Sequence, residues 1–313
     1  MTQIPTRRSI LKKALKKLVS PADLGRFIRY RFITGNEYPF FDLTDQFPWL
    51  ARTINFVAHS HKLDLDTPVF IAGLRRSGTT LLYRILNANP ELFLYNERFP
   101  GDRLNGRGTA CDRNLVYGHY DRDSFHRIAT NYVGPSIRRR FSRWGVKLAL
   151  EIAHPDPGSI DRSAVLRILD AFPKAKIVFI TRDPRDFVLS ALNRGGHDVQ
   201  WWIDEYRALM ALLEELTHDR SDSIHVVKYE DLVSNSGEVV GRCCEFAGMS
   251  YLPEMTQSDN WSIKGPQEYE NRKISDNVDK WKKAEGRART IVQETSSACF
   301  PAAAKLGYAC EQT

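Results

Sequence analysis

The sequence predicts an α/β fold, a mainly parallel sheet covered by helices on both faces, and three observations carry that expectation. Two mostly apolar runs, at residues 69–72 and 176–180, each pass through a short polar turn into a segment with apolar residues at helical spacing. Two more runs, at 146–149 and 224–227, read as further strands with enough chain before each for a crossover helix. A composition of 42% hydrophobic and 27% charged residues over 313 positions is that of a globular protein with a sizeable core, which argues against a disordered or fibrous chain.

The chain opens on a basic amphipathic stretch at 7–31, where Ile10, Leu11, Leu15, Leu18 and Val19 are set among Lys12, Lys13, Lys16 and Lys17. A solvated helix packed on the domain accounts for this pattern, and weak peripheral contact of the same helix with an anionic membrane is the alternative. In the first α/β unit, Val69, Phe70, Ile71 and Ala72 form the strand. The helix then carries Leu81, Leu82, Ile85 and Leu86, and Asn89-Pro90 ends it. In the second, Ile177, Val178, Phe179 and Ile180 form the strand, Asp183 is the expected N-cap with Pro184 at the first helical position, and Phe187, Val188, Ala191 and Leu192 follow.

Residues 101–143 are rich in Arg, Gly and Asp and read as loops and short helices over the sheet edge. The tail at 261–283 is charged and largely irregular, before a helix-like stretch at 291–306. The expected organisation is a single domain over 1–313: a helical extension at 1–65, a core at about 66–283 and a C-terminal helix at 284–313.

A net charge of +7 favours anionic partners without choosing among nucleotide phosphates, nucleic acid, acidic glycan and membrane. The five cysteines, Cys111, Cys243, Cys244, Cys299 and Cys310, are scattered, with no C-x-x-C pair, so neither a zinc site nor a disulfide framework is expected. With no apolar stretch of membrane-spanning length, a cytoplasmic protein is the expectation.

The chemistry is concentrated at residues 73–80, G-L-R-R-S-G-T-T, which fit the phosphate-loop frame G-x-x-x-x-G-K-[ST] except that Thr79 stands where the lysine belongs. The glycines let backbone N–H groups turn toward a phosphate, and the helix N-terminus adds its positive dipole end. What is lost is the lysine that reaches the β- and γ-phosphates of a triphosphate. Arg76 is the replacement cation within the loop, and the fold class narrows to the P-loop type.

The segment Phe70 to Gly73 followed by Arg76-Ser77-Gly78-Thr79-Thr80-Leu81 resembles the 5′-phosphosulfate loop of sulfotransferases that use 3′-phosphoadenosine 5′-phosphosulfate (PAPS), nearest the R-S-G-T-T form of the tyrosylprotein and bacterial branch. The second unit, Arg182-Asp183-Pro184-Arg185 with Ser190 on the helix, is similar to that family's 3′-phosphate site. Tyr229-Glu230-Asp231-Leu232 resembles its Y-E-x-L segment, and Asp279-Lys280-Trp281 its late K-W segment that closes over the cofactor. The resemblance runs from about residue 69 to 281, with long unmatched stretches, and Arg75 stands where most relatives carry proline.

The resemblance implies that Arg76, Ser77, Gly78, Thr79, Thr80, Leu81, Arg182, Ser190, Tyr229, Lys280 and Trp281 bind PAPS. It further implies that Lys147 lies near the transferring sulfuryl oxygens and that Glu97, after the loop, is the general base for an acceptor hydroxyl. An in-line transfer of this kind requires no metal, and 3′-phosphoadenosine 5′-phosphate (PAP) is the product. The acceptor stays open among glycan, tyrosyl, lipid and small-molecule hydroxyls. The residues alone also admit a P-loop phosphotransferase, disfavoured by Thr79, and a non-catalytic nucleotide- or nucleic-acid-binding protein. Nucleic-acid binding is disfavoured because the relevant arginines sit in two discrete turns. Lys147 as a surface lysine and Asp183 and Arg185 as a local capping pair are the plain structural alternatives.

Overall fold

The computed structural model describes residue 64 and residues 66–96, 141–155, 161–193, 195–257 and 278–309. The basic stretch at 7–31, Glu97, most of the Arg-rich segment, Cys111 and Cys310 lie outside the described residues.

Five strands, β1 (Val69–Leu74), β2 (Leu92–Asn96), β3 (Arg143–Leu150), β4 (Lys176–Thr181) and β5 (Ile224–Lys228), form one parallel sheet in the order β2-β3-β1-β4-β5. β1 is buried along its whole length, and its side chains alternate between two cores. Phe70, Ala72 and Leu74 point into one, Val69 and Ile71 into the other. Burial on both faces is why β1 and β4 read as continuous apolar runs rather than alternating ones.

The helix α1 (Thr79–Asn87) follows β1 and packs on the face that holds Val69 and Ile71, together with α5 (Tyr229–Ser234) and α6 (Ser236–Phe246). The opposite face is covered by α2 (Arg162–Ala171), α3 (Pro184–Leu192), α4 (Val199–Asp219) and α7 (Arg287–Ala303). Helix starts follow local chemistry. The Asp161 side chain accepts from Ala164 N–H at the head of α2, and Asp198 from Trp201 N–H at the head of α4. Asp183 accepts from Arg185 N–H with Pro184 in the first turn of α3, as its sequence predicts.

Beyond the expected strands lies β2, which depends on contacts made far away in sequence. Asn89 ends α1, accepts from Glu91 N–H at 2.8 Å and donates to the Ser250 carbonyl at 2.8 Å, while Asn87 accepts from Leu94 N–H at 3.0 Å. These bonds aim β2 along β3, so that Asn96 comes into register with Lys147. β3 starts earlier than its apolar run because Arg143 and Trp144 pair with Leu92 and Phe93.

Among the described residues no helix is long and apolar enough to cross a membrane. Cys243, Cys244 and Cys299 are buried free thiols, each pushed up by burial, to about 12 for Cys243 and Cys299 and about 11 for Cys244.

A backbone approach makes the sheet centre sensitive to a single carbon. A Cβ at Gly145 would lie 1.6 Å from the Val69 carbonyl oxygen, so β3 and β1 have no room for a side chain there. Gly145→Ala is expected to lower stability by about 3 kcal/mol or more, since backbone cannot yield as a flexible side chain does. Denaturant unfolding checks this; a midpoint within error of the parent protein's would contradict it.

Candidate active site

The sheet order places β1 and β4 side by side, yet the chain leaves them for opposite faces, β1 into α1 and β4 into α3. Their carboxyl ends therefore flank the crevice where ligands bind in open α/β sheets. Both sequence motifs fall at this point.

In the first turn, Arg76 has a left-handed backbone, φ 78°, and Gly78 follows at φ 102°. For Arg76 this conformation costs about 1–2 kcal/mol, a local cost met by the surrounding structure. At Gly78 a side chain is excluded outright, because a Cβ would lie 2.4 Å from Cδ2 of the Tyr229 ring. A Cβ at Gly73 would lie 2.6 Å from the Ile180 carbonyl oxygen, so the turn is also pressed against β4. No side chain caps the head of α1. The result is a helix N-terminus whose first N–H groups face the crevice without a side-chain acceptor, the geometry an anion requires.

Lys147 reaches the same place from β3. It is 2% exposed, donates to Thr80 Oγ at 3.1 Å and lies 5.8 Å from the Tyr83 ring centre. A surface lysine ending a strand is thereby ruled out. Arg182, 5% exposed, donates to the Arg76 carbonyl at 3.4 Å and stacks over Tyr229 at 4.7 Å. This contact joins the two turns. Thr79 is buried, Ser77 is buried with its N–H on the Leu74 carbonyl, and Leu81 N–H returns to the Gly78 carbonyl.

Ser190 is half-buried toward the end of α3, and Lys280 is exposed. Trp281 is buried, with its ring 3.4 Å from the Arg185 guanidinium, which Asp183 holds in turn through bonds at 3.0 and 2.7 Å. Asp183 and Arg185 are therefore a local pair, and their stack docks the Lys280–Lys283 turn on α3. The Trp281 backbone N–H donates to Asp186 at 3.0 Å. Burial raises the Asp186 carboxyl above its ordinary range, against the opposing pull of that N–H and of Arg182.

Several residues of the site carry no motif. Glu151, 5% exposed at the end of β3, pairs with Arg75 at 2.7 Å and ties the loop to the next strand. Glu205, fully buried on α4, accepts from Ile152 and His154 N–H at 2.6 and 2.7 Å and fixes the chain leaving β3. A carboxylate holding two backbone donors has no signature in sequence. Among the described residues no group of three His, Cys, Asp or Glu side chains could hold a metal.

Fold and paired turns define an α/β protein of the P-loop type. Residues 68–253 match the model of the Sulfotransferase family, more than half of the chain. The chain belongs to that family, the PAPS-dependent sulfotransferases, as the resemblance of its two turns implies. The sulfotransferase domain of the curacin biosynthetic pathway superposes with a TM-score of 0.50 at 18% identity, covering 78% of this chain and 98% of that one. The corresponding figures for the sulfotransferase domain of the Synechococcus PCC 7002 olefin synthase are 0.49, 20%, 79% and 98%. For a mouse sulfotransferase complexed with PAP they are 0.48, 12%, 82% and 93%. At 18% identity the first of these superpositions speaks to fold alone. No curated protein matches this chain at the level of sequence.

Removing the Arg75 side chain tests the loop anchor. Arg75→Ala is expected to cost about 1–2 kcal/mol, because the Glu151 carboxylate stays buried while the exposed arginine was partly screened by water. Chemical denaturation at low and high salt reads this out; an unchanged midpoint would show that the pair anchors nothing.

Proposed function

We propose that the chain transfers the sulfuryl group of PAPS in line to an acceptor hydroxyl, with Glu97 as the general base. The observation that carries this reading is the 3.4 Å contact between Arg182 and the Arg76 carbonyl, which puts both motifs and Lys147 around one crevice. PAPS supplies the activated sulfuryl group and a leaving 5′-phosphate. What supports a fit to such a group is the head of α1, which no side chain caps, with the buried cations Lys147 and Arg182 beside the turn.

In this reading Arg76 and the N–H groups at the head of α1, with Ser77, Thr79, Thr80 and Leu81 shaping the turn, hold the leaving phosphate as its charge grows. Lys147, fixed on Thr80, neutralises the transferring oxygens. Arg182 and Ser190 take the 3′-phosphate, Tyr229 braces Arg182, and Lys280 and Trp281 close that side. Glu97 accepts the acceptor's proton. Glu97 follows Asn96, the last residue of β2, which pairs with Lys147 across β2 and β3, and itself lies outside the described residues. The acceptor, a glycan, tyrosyl, lipid or small-molecule hydroxyl, meets this edge.

A phosphotransferase reading has lost its support, since the family is that of sulfotransferases and Thr79 cannot replace the triphosphate lysine.

Two variants test the assignment. Arg182→Ala should weaken PAP by ~1.5–3 kcal/mol, the scale of one charge-assisted contact, and affect adenosine 5′-phosphosulfate, which lacks the 3′-phosphate, far less. Equal losses in titration calorimetry would make Arg182 a structural residue.

Glu97→Gln keeps shape and removes the base. Turnover on any accepted acceptor should fall by roughly 10²–10⁴-fold with PAP affinity unchanged. Near-parental turnover would remove Glu97 from the mechanism and send the search for a base to the residues after Pro100.

A further inference from the structure

We infer that the C-terminal tail is a working part of the 3′-phosphate site: Tyr308, acting through Glu230, is a positioning residue for the turn that carries Arg182. The inference rests on the reading of Arg182 as the 3′-phosphate contact.

The tail reaches the site through a defined chain reversal. After α7 a short 3₁₀ turn, Ala304–Leu306, ends at Gly307 with φ 75°, a left-handed stop that glycine adopts without strain. Gly307 N–H bonds the Ala304 carbonyl at 2.9 Å and Tyr308 N–H the Ala303 carbonyl at 3.3 Å, the closure expected of a Schellman-type end. Lys228 at the end of β5 clamps the reversal. Its ammonium donates to the Gly307 carbonyl at 2.9 Å and lies 4.9 Å over the Tyr308 ring.

So placed, the Tyr308 ring is buried and its hydroxyl lies under the second turn, 3.0 Å from Thr181 Oγ and 3.3 Å from Glu230 Oε2. Glu230 uses its other oxygen, Oε1, to accept from Asp183 N–H at 2.9 Å. Tyr206 on α4 donates to the Arg182 carbonyl at 3.0 Å and completes the cradle. The residue before Glu230 is Tyr229, whose ring touches both Gly78 and Arg182. A hydroxyl at position 308 is thus connected, through one carboxylate, to the backbone on which the Arg182 side chain is aimed. Burial pushes the Tyr308 phenol well up, so it stays a neutral donor.

A side chain that only filled space here would need no hydroxyl. Tyr308→Phe keeps the ring and removes the donor to Glu230, which frees that carboxylate to leave Asp183 N–H. Glu230→Gln weakens the same link from the other side. Each variant of the full chain is titrated with PAP and with adenosine 5′-phosphosulfate. PAP affinity should fall about threefold to tenfold in each, adenosine 5′-phosphosulfate affinity should stay within twofold, and the double variant should lose less than the product of the two single losses.

Unchanged PAP affinity in both variants, or equal losses for the two ligands, overturns the inference. Arg182→Ala run alongside separates the causes. If it abolishes the preference for PAP while Tyr308→Phe and Glu230→Gln keep it, the tail has no positioning role and the phosphate reading stands. If Arg182→Ala also keeps the preference, both ideas fail together.

Discussion

The missing side chain at Gly78 is the constraint on which the site depends. The Tyr229 ring occupies the space a Cβ would need, and the same ring carries the Arg182 guanidinium on its face. One aromatic residue from the end of β5 is therefore wedged between the turns that leave β1 and β4. A larger residue at 78 would move the ring, and the ring would move the arginine. The left-handed backbone at Arg76 and Gly78 belongs to the same arrangement, because it turns the loop so that the Arg76 carbonyl meets Arg182.

Around this wedge the structure concentrates positive charge and then holds it with carboxylates set behind. Arg75 is tied to Glu151, Arg182 approaches Asp186 at 3.9 Å, and Arg185 is gripped by Asp183. A cluster of cations without such partners would repel itself, and one fully neutralised would attract no anion. Burial raises the Asp186 and Glu230 carboxyls, so part of the cost of assembling the site is stored in these two groups.

The second turn is held from four directions, by Tyr229 on its arginine, Glu230 on Asp183 N–H, Tyr206 on the Arg182 carbonyl and the Trp281 stack on Arg185. These partners come from α4, α5 and the turn before α7. Phosphate-binding arginines on a single flexible turn would lose side-chain entropy on each binding event, whereas a turn fixed by folding has lost most of it already. The order of the strands makes this bracing available, since β4 and β5 are neighbours and α5 begins where β5 ends.

Fold class, the two strand-to-turn units and Arg76 as a site candidate were legible in the sequence, and Lys147, Arg182 and Tyr229 became candidates through the family resemblance of their motifs. Apolar runs, helix caps and a glycine frame are local patterns, and local patterns are read from neighbouring residues. Glu97 is a candidate through the resemblance alone and lies outside the described residues, while its neighbour Asn96 is brought into register with Lys147 by the pairing of β2 with β3. The brace at Glu151, the clamp at Glu205, the wedge of Tyr229 under Gly78 and the reach of Tyr308 to Thr181 were not legible. Each joins residues separated by tens to more than a hundred positions, and a carboxylate that will accept a buried backbone N–H looks like any solvated one until the chain folds. Residue chemistry thus determined what kind of ligand the protein is built for, while strand order and packing decided which charges face the crevice and which hold it open.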